Sequence, residues 1–394
     1  MKQLSKIFFI LVLTATLGQF FSDLYLPSLP AIAKSLGTTT ELTQLTVSLF
    51  LLGYSISSFF YGPVSDTIGR KTPLIIGILL CLLGSIICVF AANIYILILG
   101  RIIQGLGGGA GASLTTAIIR DCFDGKRMAK LCSYLTMANM IVVIAAPMLG
   151  GYIQDYFAWR ISFIFLLIYS LLVLFLVIIF IPETKQLEHK QHFKFTIYKN
   201  NIFTVLKNKK FIGYLIALLF TYGGIFAWLT IGPVLMQKYL FFSPSGFAWL
   251  CLLFGTSYAF GGFLNSKFVI KYGIDRMFNL GQWLMLVGGI LMLLFAIFSI
   301  LNVYVIIIPL MIYMIGAAMI FPNSYTGALA TFAKIAGFAT AILIGSQIFG
   351  GFLVSFCVTF LPSNNQIYLA IVLIFCAFCV IIANRKIIGT DSTS

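Results

Sequence analysis

The chain has 394 residues, of which 61% are hydrophobic and only 9% are charged. A soluble domain is about 45–50% apolar and about 25% charged, so this composition excludes a soluble enzyme or a nucleic-acid-binding domain. The net charge of +15 comes from 25 Lys and Arg against 10 Asp and Glu, and the basic residues fall in short loops between apolar runs. We therefore predict an integral membrane protein whose basic loops are retained on the cytoplasmic side.

Twelve apolar runs follow one another along the chain, and each approaches the length of about 20 residues that a helix needs to cross a bilayer core. They lie near 7–29, 43–61, 74–92, 95–118, 128–151, 160–181, 211–234, 246–266, 277–299, 303–325, 337–361 and 366–384. Transmembrane barrel strands alternate over about 10 residues, and these continuous runs do not. The expected fold class is an all-α membrane protein with twelve transmembrane helices in two six-helix, pseudo-symmetric halves.

A polar segment divides the chain near its middle. It carries seven lysines, Lys185, Lys190, Lys194, Lys199, Lys207, Lys209 and Lys210. We predict an N-terminal half over residues 1–181, a basic cytoplasmic linker over 182–210 and a C-terminal half over 211–394. Gly69 and Gly273 recur 204 residues apart, and Pro30 and Pro233 recur 203 residues apart. This repetition suggests a transporter built from two related halves, with its binding site between them.

The basic residues also predict the orientation in the membrane. With both termini cytoplasmic, 21 Lys and Arg lie outside the helices on the cytoplasmic side, against Lys34, Arg160 and Lys238 on the other. Loops rich in Lys and Arg stay in the cytoplasm. The first apolar run continues through Asp23 and Pro27 without a small-residue cleavage site, so we interpret it as a retained helix rather than a signal peptide.

Two charged residues fall inside predicted helices of the first half. Asp23 lies near the outer end of the first helix, and Arg101 lies about six residues into the fourth, with Gln104 one turn further on the same face. Charges inside a membrane are costly, and acids there commonly carry protons. We predict that Asp23 is a proton-coupling carboxyl. The alternatives are an interfacial Asp23 that reaches water and an Arg101 that is only a hydrogen-bonding hub.

The connection between the second and third helices reads Gly62-Pro-Val-Ser-Asp66-Thr-Ile-Gly69-Arg70-Lys71. Gly69 permits the left-handed turn that a short connection needs, and Asp66 is an anion suited to exposed helix amides. Arg70 can pair with a carboxylate such as Asp121. The plainer alternative is a basic loop that charge alone retains in the cytoplasm.

This loop resembles the signature of the major facilitator superfamily, and Arg101-Ile-Ile-Gln104-Gly105 resembles that family's second motif. The segment Ala146-Pro147-Met-Leu-Gly150-Gly151 is similar to the family's antiporter motif, with Ala146 in place of the usual Gly. Three further patterns are similar to the bicyclomycin and chloramphenicol resistance branch of the drug/proton antiporters. They are Asp23-Leu-Tyr-Leu-Pro27-Ser-Leu-Pro30, Gln44-x-Thr46-x-Ser48-x-Phe50-x-x-Gly53 and Arg120-Asp121.

The resemblance implies roles for several of these residues. Arg101 and Gln104 would take part in proton coupling with Asp23, and the Pro147 segment would help to seal the path against leak. A latch would hold the outward-facing state. The residues expected in gating or in this latch are Gly62, Asp66, Gly69, Arg70, Lys71, Asp121, Pro147, Gly150 and Gly151.

Candidate substrate contacts share a predicted mid-membrane depth and an aromatic, amide or thioether group. Aromatic and Met side chains suit variable apolar ligands. The candidates are Tyr54, Asn139, Met140, Tyr222, Trp228, Tyr258 and Asn323. Simple packing within the helix bundle is the alternative for each of them.

The sequence contains no Walker loop, so the energy for transport must come from an ion gradient. A single acid suits a proton better than sodium, which needs several oxygen ligands. We predict a proton-coupled secondary transporter that exports small amphipathic compounds across the bacterial inner membrane by alternating access. We expect no enzymatic activity, cofactor, metal or nucleic-acid partner, and expect a functional monomer whose partners are its substrate, protons and the lipid bilayer. The alternatives are a proton-coupled uptake symporter, a siderophore or metabolite exporter on the same fold, and a channel or receptor.

Overall fold

The computed structural model describes residues 2–123, 125–185, 203–332 and 335–388. Within these ranges, twelve helices are long and apolar enough to cross a membrane. They are α1 (Lys2–Asp23), α2 (Thr40–Ile68), α3 (Lys71–Val89), α4 (Ile94–Cys122), α5 (Gly125–Tyr156), α6 (Trp159–Phe180), α7 (Lys209–Val234), α8 (Pro244–Tyr272), α9 (Ile274–Ile297), α10 (Val303–Leu329), α11 (Ala336–Thr359) and α12 (Ile367–Ala383). Each predicted run overlaps one of them, so the twelve-helix, all-α prediction is confirmed.

The predicted linker is described only at its two ends. Helix α6 ends at Phe180 and α7 begins at Lys209. Three lysines of the predicted linker, Lys190, Lys194 and Lys199, lie outside the described residues. The division into two halves and a linker therefore stays a prediction at these bounds.

Successive helices cross the membrane in opposite directions, so the start of α1 and the end of α12 lie on the same side. We call this the terminus side. The connections that follow α2, α4, α6, α8 and α10 lie there too. The connections that follow the odd-numbered helices lie on the opposite side.

The first membrane span is broken, whereas the apolar run in the sequence continues to residue 29. Helix α1 ends at Asp23, a 3-10 turn covers Leu26–Ser28, and a short helix covers Leu29–Ser35. Pro27 and Pro30 cause the break, because neither has the N–H that would bond the carbonyl four residues earlier.

The two halves share a tight turn on the terminus side. Gly69 ends α2 with φ +97° and ψ 168°, and Gly273 ends α8 with φ +83° and ψ 165°. The predicted positive-φ turn at Gly69 is therefore present, in a conformation that is essentially limited to glycine. The predicted correspondence between these two positions is present in the backbone.

The halves meet along two pairs of helices, α2 with α11 and α5 with α8. The hydroxyl of Ser55 in the middle of α2 donates to the main-chain oxygen of Gly345 in α11 at 2.9 Å. Helices α1, α4, α7 and α10 face the space between the two halves, and this space contains the cavity described below.

Candidate functional site

A cavity of about 460 Å³ lies between the two halves. Small-molecule pockets commonly have volumes of about 300–1,000 Å³. Four helices of each half supply its walls, α1, α2, α4 and α5 on one side and α7, α8, α10 and α11 on the other. Its walls include seven residues singled out in the sequence, Asp23, Tyr54, Asn139, Met140, Pro147, Tyr222 and Tyr258.

The cavity reaches toward the terminus side. Thr116 and Tyr325 both line it, and they lie six and four residues before the ends of α4 and α10. At a rise of 1.5 Å per residue, these positions are within roughly 6–9 Å of the helix ends. On the opposite side, Gln44 of α2 donates a hydrogen bond to the main-chain oxygen of Thr230 in α7 at 3.1 Å. The cavity is therefore closed on the side away from the termini.

The C-terminal half supplies an aromatic wall. The ring of Tyr222 lies 4.8 Å from that of Phe226 and 6.2 Å from that of Phe321, centroid to centroid. Tyr325 donates its hydroxyl to Oε1 of Gln347 at 2.8 Å. Such a wall offers ring faces and a few hydrogen-bonding groups, which suits a ligand that is largely apolar.

Sequence reasoning missed five polar residues of the cavity, Gln19, Thr116, Thr136, Tyr325 and Gln347. Each lies inside a membrane helix, and for the two glutamines and the tyrosine the signal that pointed to Tyr54 and Tyr222 was present too.

Asp23 lies at the cavity wall, at the end of α1, and is 2% exposed. Its Oδ2 accepts a hydrogen bond from Nε2 of Gln19, one turn earlier in the same helix. Its Oδ1 is buried and has no hydrogen-bond partner among the described residues. Asp23 is also the one charged side chain among the described residues that line the cavity. One carboxyl oxygen is thus available to hold a proton without displacing a protein donor.

Arg101 lies behind the cavity wall and is fully buried. Its Nη1 donates to the main-chain oxygen of Phe21 at 2.8 Å and to Oε1 of Gln104 at 2.7 Å. The guanidinium carbon lies 4.1 Å from the ring centroid of Tyr25 and 4.2 Å from that of Phe50. Cation–π contacts and hydrogen bonds from a charged donor offset part of the cost of burying this cation.

No ion pair joins Arg101 to Asp23 in the part of the chain that the structure describes. Gln104 lies one turn from Arg101, as the sequence suggested, and its Nε2 continues the chain of hydrogen bonds to Oγ of Ser85 at 3.0 Å. Arg101 therefore fastens α4 to the last turn of α1. Its part in proton coupling stays a prediction.

Two expected cavity residues lie elsewhere, which corrects the sequence prediction for both. Trp228 is fully buried within its own half, with its ring 5.9 Å from that of Phe247 and 6.3 Å from that of Phe254. Asn323 donates from Nδ2 to Oδ1 of Asn265 at 2.8 Å. Neither side chain lines the cavity, because the sequence indicated depth in the membrane but not the helix face.

Arg70 joins α2, α3 and α4 on the terminus side of the first half. Its Nη2 lies 2.9 Å from Oδ1 of Asp66, and its Nε lies 2.9 Å from Oδ2 of Asp121. Its Nη1 donates to Oγ of Ser65 at 2.6 Å, and Ser65 donates to the main-chain oxygen of Gly62 at 2.7 Å. The predicted contact with Asp121 is present, but the guanidinium divides its donors between two carboxylates. We call Asp66, Arg70 and Asp121 the latch.

Glu183, just after α6, supports the latch and was missed in the sequence. Its Oε1 accepts from the main-chain N–H of Arg70 at 2.8 Å, and its Oε2 accepts from that of Lys71 at 3.1 Å. These N–H groups lie at the start of α3, where a helix has no internal acceptors. A side chain at Gly69 would lie 2.7 Å from the carboxyl carbon of Glu183. Nothing in the spacing of the sequence links Glu183 to α3.

Main-chain donors determine the ionisation of Glu183, which lies outside the membrane spans. Partial burial acts to raise the pKa of its carboxyl. The N–H groups of Arg70, Lys185, Lys71 and Thr184 outweigh that effect and hold the pKa below the ordinary value for Glu.

Lys185 also contacts Asp66, with Nζ 3.5 Å from Oδ1, and Lys71 donates from Nζ to the main-chain oxygen of Ile178 at 2.8 Å.

The Pro147 segment of α5 brings three parts of the molecule together. Pro147 lines the cavity. Gly150 packs against the main chain of Leu24 at the break in α1, and a Cβ on Gly151 would lie 2.8 Å from Cβ of Ala248 in α8. The glycines therefore allow α5 to approach both α1 and the other half. The sealing role implied by resemblance stays a proposal.

Two six-helix halves that enclose an aromatic cavity with one buried carboxyl define a membrane transporter. A family model described as Major Facilitator Superfamily matches residues 8–342. The chain belongs to the Major Facilitator Superfamily.

Comparisons with individual proteins agree with that assignment. The chain is 30% identical over 350 residues to the bicyclomycin resistance protein homolog of Haemophilus influenzae, covering 88% of this chain and 87% of the relative. It is 28% identical over 360 residues to multidrug resistance protein D of Escherichia coli, covering 90% of this chain and 89% of the relative. The xylose transporter XylE of E. coli, in a partially occluded inward open conformation, has a TM-score of 0.75 at 16% identity over 97% of each chain. That structural likeness shows the fold alone.

Proposed function

We propose that the protein is a proton-coupled antiporter that exports small amphipathic compounds across the bacterial inner membrane by alternating access. The observation that carries the proposal is the position of Asp23, a buried carboxyl with one unpartnered oxygen at the wall of an aromatic cavity. A proton on Asp23 and a ligand in the same cavity would influence each other directly. Asp23, Arg101 and Gln104 are the proposed coupling residues, and a monomer is the proposed functional unit.

Charge supports an orientation with both termini in the cytoplasm. Arg120, Lys126, Arg127 and Lys130 lie at the ends of α4 and α5 on the terminus side, and basic residues favour the cytoplasmic face. In this orientation the cavity faces the cytoplasm in the present conformation. We refer to the opposite side of the membrane as the outer side.

The latch is intact although the outer side is closed. Its ion pairs therefore do not mark an outward-facing state by themselves, which departs from the sequence expectation. All three latch residues belong to the N-terminal half. In the proposed cycle the latch keeps α2, α3 and α4 together as one unit while the halves move.

Export is better supported than uptake. The relatives from H. influenzae and E. coli carry names that refer to bicyclomycin and multidrug resistance. The aromatic wall of the cavity, with Tyr222, Tyr258 and Phe321, suits amphipathic compounds better than a strongly hydrated nutrient. The xylose transporter XylE shares only the fold.

Everted membrane vesicles test the proposal. Respiration acidifies their interior, which quenches acridine orange, and an exporter releases protons from the interior as it takes up its compound. We expect chloramphenicol, bicyclomycin or a member of a panel of amphipathic drugs to restore fluorescence with the parent protein. Asp23→Asn is the matched control, since it keeps the shape of the side chain but cannot release a proton. Accumulation of the compound that persists after a protonophore collapses both the pH gradient and the membrane potential would contradict proton coupling.

A further inference from the structure

Helices α1 and α7 occupy corresponding places in the two halves, and both are irregular near the outer side. Helix α1 gives way to the 3-10 turn Leu26–Ser28. Helix α7 contains Pro233 and continues into a π-helical turn over Leu235–Tyr239. Such π-turns are rare and occur frequently at functional sites, since the extra residue redirects side chains.

The π-helical turn of α7 positions the side chain of Gln237 beside the break in α1. Its Nε2 donates to the main-chain oxygen of Pro27 at 2.8 Å. In a 3-10 turn this oxygen would accept a hydrogen bond from the main-chain N–H three residues later, which is the position of Pro30. Proline has no N–H, so that bond cannot form. The proline that breaks the first span thus leaves an acceptor, and the irregular turn of the other half supplies the donor.

Gln44 makes a second contact between the halves near the same level. It is 2% exposed, and its Nε2 donates to the main-chain oxygen of Thr230 at 3.1 Å. The hydroxyl of Thr230 is held in turn by Ser355 of α11 at 2.7 Å. Gln44 therefore contacts a part of α7 that is itself fixed within the C-terminal half.

Both glutamines connect one half to the other on the side where the cavity is closed. A peripheral contact accompanies them, because Oδ2 of Asp155 at the end of α5 accepts from the N–H of Ser245 at the start of α8 at 3.1 Å. The glutamine contacts lie closer to the cavity, with Pro27 only four residues after Asp23 and Thr230 next to the wall residue Leu229. They also carry no charge.

We propose that Gln44 and Gln237 are the gating residues that hold the outer side closed, through side-chain amide bonds to the main chain of the opposite half. This inference rests on the proposed alternating access. Opening toward the outer side requires both bonds to break, and no charged group has to be desolvated when they form again. The two residues position the halves and do not contact the substrate.

The cavity contains a native reporter of this opening. Cys251 lines it from α8, seven residues after the start of that helix at the outer side. The experiment uses a chain in which the other seven cysteines, Cys81, Cys88, Cys122, Cys132, Cys357, Cys376 and Cys379, are replaced by Ala or Ser. In intact cells, a membrane-impermeant maleimide reaches Cys251 only while the outer side is open.

We expect Gln44→Ala and Gln237→Ala each to raise the rate of Cys251 labelling by about two- to tenfold, the range that the net loss of one hydrogen bond gives. Gln44→Glu should act like Gln44→Ala, since a carboxylate keeps the size but cannot donate to a carbonyl oxygen. Gln366→Ala is the matched control. It removes a buried glutamine whose Nε2 donates to the main-chain oxygen of Ile300 at 2.7 Å within the C-terminal half, and labelling should not change.

Unchanged labelling in both Gln44→Ala and Gln237→Ala, or an equal rise in Gln366→Ala, would overturn the proposal. If the chain with Cys251 alone does not reach the membrane, the same variants are compared in the native chain, with Cys251→Ser giving the background. Labelling needs neither a substrate nor a proton gradient. The labelling experiment can therefore contradict the proposed gate without contradicting proton-coupled export.

Discussion

Nη1 of Arg101 donates to the main-chain oxygen of Phe21 at 2.8 Å, and this bond ties α4 to the last turn of α1. Phe21 lies two residues before Asp23 in the sequence. The position of the cavity carboxyl therefore depends on a cation that does not pair with it. The backbone of α1 thus connects Arg101 to Asp23.

This relationship predicts that Arg101 is required mainly for structure. Arg101→Ala should lower the melting temperature in detergent by roughly 5 °C, because the space between Tyr25 and Phe50 is left empty and two charged hydrogen bonds are lost. Arg101→Lys should restore little, since a lysine lacks the planar fork that fills this space. Melting curves of the purified variants measure both effects.

The pH dependence of transport separates this role from direct electrostatic tuning. If Arg101 only positions α1, the variants should have lower rates but the same pH profile as the parent. A displaced pH profile in Arg101→Ala, with an unchanged melting temperature, would contradict the structural role and support direct tuning of Asp23.

Asp23 should be indispensable for coupling but not for folding. Asp23→Asn keeps an oxygen that can accept the hydrogen bond from Gln19, and it keeps the packing of the side chain. The melting temperature should therefore stay within a few degrees of that of the parent. Substrate-induced proton release in everted vesicles should be abolished, since Asn does not titrate. The matched control is Asp155→Asn, which changes an acid outside the cavity. Proton release that persists in Asp23→Asn would show that another group carries the proton.

The latch predicts non-additive effects. Arg70→Ala and Asp121→Ala should each impair transport, and the double variant should lose less than the sum, because both single changes remove the same ion pair. Residues in direct contact typically show a coupling energy of about 0.5–3 kcal/mol. Transport rates of the two single variants and the double variant measure it. Arg70→Ala combined with Asp275→Ala, which lies in the other half, is the additive reference.

Glu183 should stabilise the start of α3 through its charge. Glu183→Gln replaces one acceptor oxygen by an amide nitrogen, which cannot accept from the N–H of Lys71, so the melting temperature should fall at pH 7. The pKa of Glu183 is below its ordinary value in the folded protein. Its contribution is therefore present above the unfolded value of about 4.3 and is lost as the pH falls through the lower, folded value.

The difference in melting temperature between parent and Glu183→Gln should accordingly stay constant from pH 7 down to about 4.3 and shrink as the pH is lowered further toward about 3. Asp275→Asn, an exposed change in the first turn of α9, controls for the general effect of removing a negative charge. A difference that stays constant over the whole of this pH range would mean that the carboxylate charge contributes nothing to the turn.

The sequence was informative wherever membrane cost or backbone chemistry restricts the choice of residue. The twelve spans, the buried positions of Asp23 and Arg101 and the turn at Gly69 follow from such restrictions. The contact of Arg70 with Asp121 could be anticipated because a buried arginine requires an acid. In each case the physical reason is local to the residue or its immediate neighbours.

The direction of side chains and contacts across the chain could not be inferred in this way. Trp228 and Asn323 have the expected depth, yet they point into the packing of their own half. Glu183 caps α3 from 113 residues away in sequence. The contacts of Gln44 and Gln237 depend on breaks in helices of both halves, and only the packed structure places them opposite their acceptors.

The presence of a single carboxyl in the cavity wall has an energetic consequence for the proposed cycle. If Asp23 carries one proton inward per turn, export of a neutral compound moves one net positive charge into the cell, whereas export of a monovalent cation moves none. A membrane potential of 100 mV supplies about 2.3 kcal/mol per charge, enough for a concentration ratio of roughly 50 at about 1.4 kcal/mol per factor of ten. Neutral compounds would therefore be expelled even without a pH difference, while cations would depend on the pH difference alone.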